Sequence, residues 1–235
     1  MRLKRIIYLL AFIISFSSCK DIVFNNPLDP NASKGVMKTV KIITTGYTGE
    51  GDICFDGEKI WKIFPSGRLI AFDMESGTKI RELASSGGFG IDYYQDKLYV
   101  SSDNDYLPLI NVLSGDLEQN LLTSNIYYKF ITINDNNIIG FDTKSSYFIE
   151  LNLETFEKKQ LFKLTGFNIG GISMFGNDII ITEKDSNSVY IFDTEGKVRG
   201  VYSAPSNNVV GVAVDNGFNI YLSFSDGKIY KVILP

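Results

Sequence analysis

The sequence predicts an all-β fold, a five-bladed β-propeller built from four-stranded blades. Three observations predict it. A strand core recurs as Ile60-Trp61-Lys62, Leu98-Tyr99-Val100, Ile138-Ile139-Gly140, Ile179-Ile180-Ile181 and Ile220-Tyr221-Leu222, at spacings of 38, 40, 41 and 41 residues. A period of about 40 residues made of short strands and turns corresponds to one propeller blade per repeat. Apolar alternation with period two runs through each repeat, and no helical period persists. The composition suits a turn-rich β protein, with 13% aromatic residues, 21 glycines and 6 prolines.

The chain opens with a tripartite export pattern. Arg2, Lys4 and Arg5 precede the uncharged eleven-residue run Ile6–Phe16, and Ser17-Ser18-Cys19 follow. A basic start, a short apolar core and small residues mark a secretory leader. The run falls well short of the roughly 20 residues that span a bilayer. Small residues directly before Cys19 resemble a bacterial lipobox, with phenylalanine (Phe16) where leucine is usual. That resemblance implies cleavage before Cys19 and a diacylglycerol, palmitate-type anchor on its thiol. An ordinary leader with an incidental cysteine is the competing reading. Two or more acyl chains hold a protein stably at a membrane, at about 0.8 kcal/mol per buried methylene. Lys20-Asp21 resemble the surface-export signal of some Gram-negative lipoproteins, and solvated linker charges explain them equally well. The expected address is the bacterial cell envelope, at the outer membrane or cell surface rather than the cytoplasmic membrane.

Residues 20–37 read as an extended tether. Asn26-Pro27 and Asp29-Pro30 are breaker dipeptides, and proline fixes φ and removes a backbone donor. A flexible chain of this length spans roughly 20 Å. The expected organisation is a signal peptide over 1–18, a lipidated cysteine and tether over 19–37, and the propeller over 38–235.

Lys38–Thr44 has the pattern of an outer strand and compares with Lys158–Leu164. Each unit then begins with an apolar-x-apolar inner strand: Ile53-Cys54-Phe55, Ile91-Asp92-Tyr93, Ile131-Thr132-Ile133, Ile172-Ser173-Met174 and Val212-Ala213-Val214. Gly90, Gly171 and Gly211 precede three of them, as suits strands that converge on an axis where space is least. Turn residues such as Asp56-Gly57, Asp135-Asn136 and Asn216-Gly217 lead to the second strand. Third strands cover Leu69–Asp73, Leu107–Asn111, Tyr147–Asn152, Val189–Asp193 and Lys228–Val232, and more polar fourth strands follow at Lys79, Glu118, Lys158 and Lys197. The fifth unit stops at Pro235 with no fourth strand. Lys38–Thr44 is expected to supply it and close the ring, which removes edges that invite aggregation.

Gly211-Val212-Ala213-Val214-Asp215-Asn216-Gly217 followed by Asn219-Ile220-Tyr221-Leu222 resembles the blade opening of NHL-repeat propellers. Gly171–Met174 with Ser188–Lys197 is similar. The resemblance implies a propeller and is nearly silent on function, because such rings host unrelated tasks.

Composition narrows the function. Loss of Arg2, Lys4 and Arg5 with the leader takes the formal net charge from −4 to −7. No basic cluster emerges, which disfavours nucleic acid and direct adsorption to anionic lipid. With no histidine in the chain, histidine-based triads and histidine-ligated zinc are excluded. If Cys19 is acylated, Cys54 has no partner and reads as a small buried hydrophobe. Carboxylate chemistry remains. Propeller glycosidases place an acid and a base at the axis, and the resemblance of this architecture to theirs directs attention to Asp92 and the nearby Asp52. The alternative to a catalytic role is that these acids line a wet channel. Lactonase-type propellers hold an axial calcium, and here Asp52, Asn168, Asn207 and Asn208 are available without a matching glutamate.

The favoured reading is a non-enzymatic propeller that presents one face to a protein or glycan ligand, as a monomer. The alternative is a carboxylate- or calcium-dependent hydrolase of glycosidase or lactonase type. No cofactor, resident metal or catalytic residue is expected under the favoured reading. Loops at one end of the blades bring aromatic and polar residues together, and candidate binding residues are Arg68, Phe89, Asp92, Tyr106, Tyr128, Glu183 and Asn208. Exposed aromatics beside polar groups suit sugar or protein recognition.

Overall fold

The computed structural model describes residues 34–235. The segment read as a signal peptide, Cys19 and most of the expected tether lie outside the described residues.

Alternating apolar residues and turn dipeptides fold the chain into strands. The two-residue β1 (Gly35–Val36) and the seven-residue β2 (Lys38–Thr44) come first. Blade one contains β3 (Ile53–Phe55), β4 (Lys59–Ile63), β5 (Arg68–Asp73) and β6 (Lys79–Ala84). Blade two contains β7 (Gly90–Tyr94), β8 (Lys97–Ser101), β9 (Tyr106–Asn111) and β10 (Leu117–Leu122). Blade three contains β11 (Tyr128–Asn134), β12 (Asn137–Asp142), β13 (Tyr147–Asn152) and β14 (Lys158–Lys163). Blade four contains β15 (Ile169–Phe175), β16 (Asp178–Glu183), β17 (Ser188–Phe192) and β18 (Val198–Ser203), and blade five contains β19 (Val209–Val214), β20 (Ile220–Phe224) and β21 (Lys228–Ile233).

Each blade is an antiparallel meander in which neighbours in sequence pair in space. Blade five takes its fourth strand from the other end of the chain. β2 pairs antiparallel with β21, from Lys38 opposite Ile233 to Thr44 opposite Lys228. This is the closure that the sequence predicts.

The start of the propeller differs from expectation. Gly35–Val36, read from sequence as the end of the tether, pair in parallel with Tyr202 and Ser203 on the outer edge of blade four. The next residue, Met37, is 1% exposed and packs with Val189, Ile191, Val212 and Val232. Burying a methionine is worth roughly 1.5–3 kcal/mol, which a solvated tether would forgo. The segment therefore bridges blades four and five before β2 begins.

The core is divided among the blade interfaces. Five clusters of buried side chains occur, one between each pair of neighbouring blades. The cluster at the seam joins Ile43, Ala213, Tyr221 and Ile229 of blade five to Ile53, Ile60, Phe64, Ile70 and Phe72 of blade one. Between blades three and four, Phe148, Phe162 and Phe192 form a run of stacked rings with centroids 4.7 and 5.5 Å apart.

Two irregularities repeat with the blades. Every third-to-fourth strand pair shifts register once, β2 with β21 included. Such bulges increase twist, and their recurrence gives β2 the geometry of an ordinary fourth strand. The inner strands of blades three, four and five also shift register, at Lys129, Gly170 and Val210.

Candidate functional site at the axial mouth

The inner strands β3, β7, β11, β15 and β19 each present one edge to the central channel. Edge N–H groups in a confined space need acceptors. Asp52 and Asp92 supply them. Asp52 accepts the N–H of Ile53 at 2.9 Å, of Val212 at 3.0 Å and of Ile172 at 3.3 Å. Its own N–H donates to the carbonyl of Phe89 at 3.3 Å. Asp92 accepts the N–H of Tyr93 at 2.8 Å and of Ile133 at 2.6 Å, and the Thr132 hydroxyl at 3.0 Å. Asp52 thus links blades one, four and five, and Asp92 links blades two and three.

Glycine makes room for this. Asp52 stands at the register position held by Gly171 in blade four and Gly211 in blade five. A Cβ on Gly171 would lie 2.0 Å from Asp52 Oδ1, and one on Gly211 would lie 2.8 Å from Asp52 Cα.

Burial raises the pKa of both acids. Asp52 is fully buried and desolvation pushes it well above the usual carboxylate range, against the pull of its three backbone donors. Asp92 is open to the channel on one side, yet enclosed by protein on the others. Desolvation lifts it to about 6, opposed by Ile133, Tyr93 and Thr132. The Cys54 thiol is pushed up by burial first and by Asp92 and Asp52 next, so it stays protonated and a poor nucleophile. The axial acids therefore fasten strand edges, and each lone pair spent on a backbone donor is one less for a substrate.

Above them, at the end where the inner strands begin, all five blades converge on a well of about 50 Å³ lined by Gly51, Phe89, Lys129, Gly170 and Val210. Lys129, Gly170 and Val210 are the residues at the inner-strand bulges. Bulges re-aim side chains, and Lys129 is the one among them that carries charge. Its ammonium lies 5.2 Å from the Phe89 ring centre and 5.9 Å from that of Phe130, within cation–π range. Beside it Lys184 pairs with Glu50 at 3.1 Å. Lys62, 1% exposed, sits behind the rim with Nζ 2.9 Å from the Gly49 carbonyl, and burial lowers its pKa to about 8.

Lys129 and Phe130 also line a larger groove between blades three and four, of about 310 Å³. Its walls carry Thr143, Ser146, Thr165 and Asn168 beside Phe141 and Phe167. Phe167 is fixed edge-on against Tyr190, with ring centres 4.9 Å apart.

The sequence-derived candidates spread over this face and below it. Phe89 stands at the mouth, 37% exposed. Asp92 lies deeper in the channel. Glu183 is buried and accepts the N–H groups of Asn168, Asp185 and Ser186, so it shapes the loop that carries Asn168. Tyr128 is fully buried and donates its hydroxyl to the Ile149 carbonyl at 3.2 Å, which makes it a packing residue between blades two and three. Tyr106 lines a separate cavity of about 230 Å³ with Ser85, Pro108 and Asn120. Exposed Arg68 pairs with Glu82 at 2.8 Å. Asn208 is exposed with φ +64° and its carbonyl accepts the Ser225 N–H. The structure thus joins Phe89 to Lys129 and leaves Arg68, Tyr106 and Asn208 apart. Thr143, Ser146 and Thr165 escaped the sequence reading because each sits in a hairpin or linking loop, where hydroxyl residues are ordinary turn formers.

No protein-family model matches the chain, and no curated protein sequence matches it. Among solved structures it is similar to Myxococcus xanthus glutaminyl cyclase, with a TM-score of 0.71 and 14% identity over 84% of this chain and 96% of that one. It is also similar to the WD40 β-propeller domain of Doa1, with a TM-score of 0.54 and 14% identity over 82% of each chain. The chain has the β-propeller fold. At these identities the likeness is one of fold, and the site must be argued from its own residues.

Proposed function

We propose that this protein is a membrane-anchored bacterial lipoprotein whose propeller presents its axial mouth to a protein or glycan ligand without turning it over. The lipobox-like Ser17-Ser18-Cys19 supports the anchor. One observation carries the binding reading. The face with the axial mouth holds a groove of about 310 Å³ with hydroxyl, amide, ammonium and aromatic groups, while both axial carboxylates are engaged by backbone donors. That volume is at the small end of the roughly 300–1,000 Å³ typical of ligand sites.

Hydrolysis would need one carboxylate to give a proton to a leaving group while another activates water. Asp52, buried under three N–H groups, has no path to either task. The decisive experiment pairs a binding screen of the purified chain against envelope glycans and proteins with a turnover assay. Turnover of a glycan, a lactone or an N-terminal glutaminyl peptide that is lost in Asp92→Asn would overturn the binding reading. Metabolic labelling with a fatty acid that disappears in Cys19→Ala would support the anchor, and undiminished labelling would sink it.

A further inference from the structure

We propose that the groove between blades three and four takes a sugar bearing a carboxylate, a hexuronate, with Lys129 pairing the acid group. This rests on the binding reading above and names its ligand class.

The first observation is the state of Lys129. No described carboxylate lies within ion-pair distance of its ammonium, which is held over two aromatic faces instead. A half-buried ammonium without a counter-charge carries a desolvation cost that an anionic ligand would offset.

The second observation is its placement. The bulge in β11 sets Lys129 on the wall shared by groove and axial well, where blades four and five hold Gly170 and Val210.

The third is what surrounds it. Thr143, Ser146, Thr165 and Asn168 offer donors and acceptors of the kind that ring hydroxyls use, and Phe167 offers an apolar face to the C–H side of a sugar. Two acids stand beside these groups, and neither pairs with Lys129. Asp103 accepts the Thr143 hydroxyl, and Asp185 accepts the Asn168 amide at 2.9 Å. Neighbouring Lys184 is held by Glu50, and Lys144 lies over the Tyr127 ring. Of these lysines, Lys129 is the one that lines the groove itself. Its pairing with a ligand carboxylate, together with ring stacking and hydroxyl contacts, would select acidic over neutral sugars of the same size.

The test uses the full chain purified in detergent and titration calorimetry at low salt. The probes are disaccharides ending in glucuronate or galacturonate, their neutral glucose and galactose counterparts, and sodium acetate alone. The expected result is uronate binding at least tenfold tighter than neutral binding, with acetate far weaker than either uronate. Lys129→Gln should bring the uronates down to the neutral level, Lys129→Arg should keep most of the preference, and Asn168→Ala should weaken both classes. Equal binding of acidic and neutral sugars that Asn168→Ala reduces would overturn the acid selectivity and leave the glycan-binding reading standing. Absence of binding by every sugar, with the melting temperature unchanged in the variants, would overturn the proposal and remove the glycan arm of that reading. A preference for uronates that survives Lys129→Gln would also overturn it.

Discussion

Phe156 adopts φ +59° at the turn between the third and fourth strands of blade three, where Gly77, Gly115 and Gly196 stand in blades one, two and four. Asp73, Asn111, Asn152 and Asp193 open these turns by accepting two N–H groups ahead of them. The left-handed region costs a side-chain-bearing residue roughly 1–2 kcal/mol. Because Phe156 is 49% exposed, its ring recovers little of that through burial. Phe156→Gly is expected to stabilise the fold by about 1 kcal/mol, read as a higher urea midpoint with unchanged slope. At the axis, Gly171→Ala should cost at least ~2 kcal/mol, because the new methyl meets the Asp52 carboxylate. In an Asp52→Gly background the same change should cost less, although the Gly211 Cα still lies 2.8 Å from the new methyl, and a double-mutant cycle measures the coupling. Equal costs in both backgrounds would exclude the clash. For Asp92, a folded pKa near 6 lies above the unfolded value of about 3.9. The folded state keeps this proton longer, so the associated stability is present below about pH 4 and is lost as pH rises through about 6. Asp92→Asn carries no such titration. Relative to wild type it should gain on the order of 2 kcal/mol between pH 4 and pH 7, followed by thermal melts at each pH.

At the scale of elements, most of the fold was legible and the site was not. Strands announced themselves through alternation and through turn dipeptides such as Asp56-Gly57 and Asn216-Gly217, because one blade face must meet the next and turns must bend. The role of Lys38–Thr44 was readable because its outer-strand pattern matched the missing piece. β1 was not, since two residues, Gly35 and Val36, carry no period. Nor were the inner-strand bulges, which arise from crowding at the axis and leave no mark at Lys129, Gly170 or Val210. Tyr128 and Glu183 looked like surface groups because polar type does not reveal direction, and both point inward in a chain whose blades pack on both faces. Met37→Ala tests the unexpected element. Emptying this buried position between blades four and five should cost about 2–5 kcal/mol, whereas a residue on a free tether would cost almost nothing.

For the molecule as a whole, stability is distributed among five similar interfaces with no single dominant core. A ring of this kind gains from its last interface as much as from any other, and that interface exists only when β2 reaches β21. Deleting residues 34–44 should expose the edge of blade five and the Ile43 side of the seam cluster, giving an aggregating product with lost near-ultraviolet dichroism. A soluble, cooperatively melting truncation would show that four complete blades and a partial fifth suffice.

The pairing of Lys38 with Ile233 also has a consequence in time. Blades one to four can form from neighbouring hairpins as the chain emerges. Among the described strands, the one that locks the ring is the second made and its partner is the twenty-first. Throughout synthesis β2 waits with Val40, Ile42 and Ile43 unpaired, until every other blade has arrived. On the export route proposed above, such an order keeps the ring from sealing itself shut while its last strand is still being delivered.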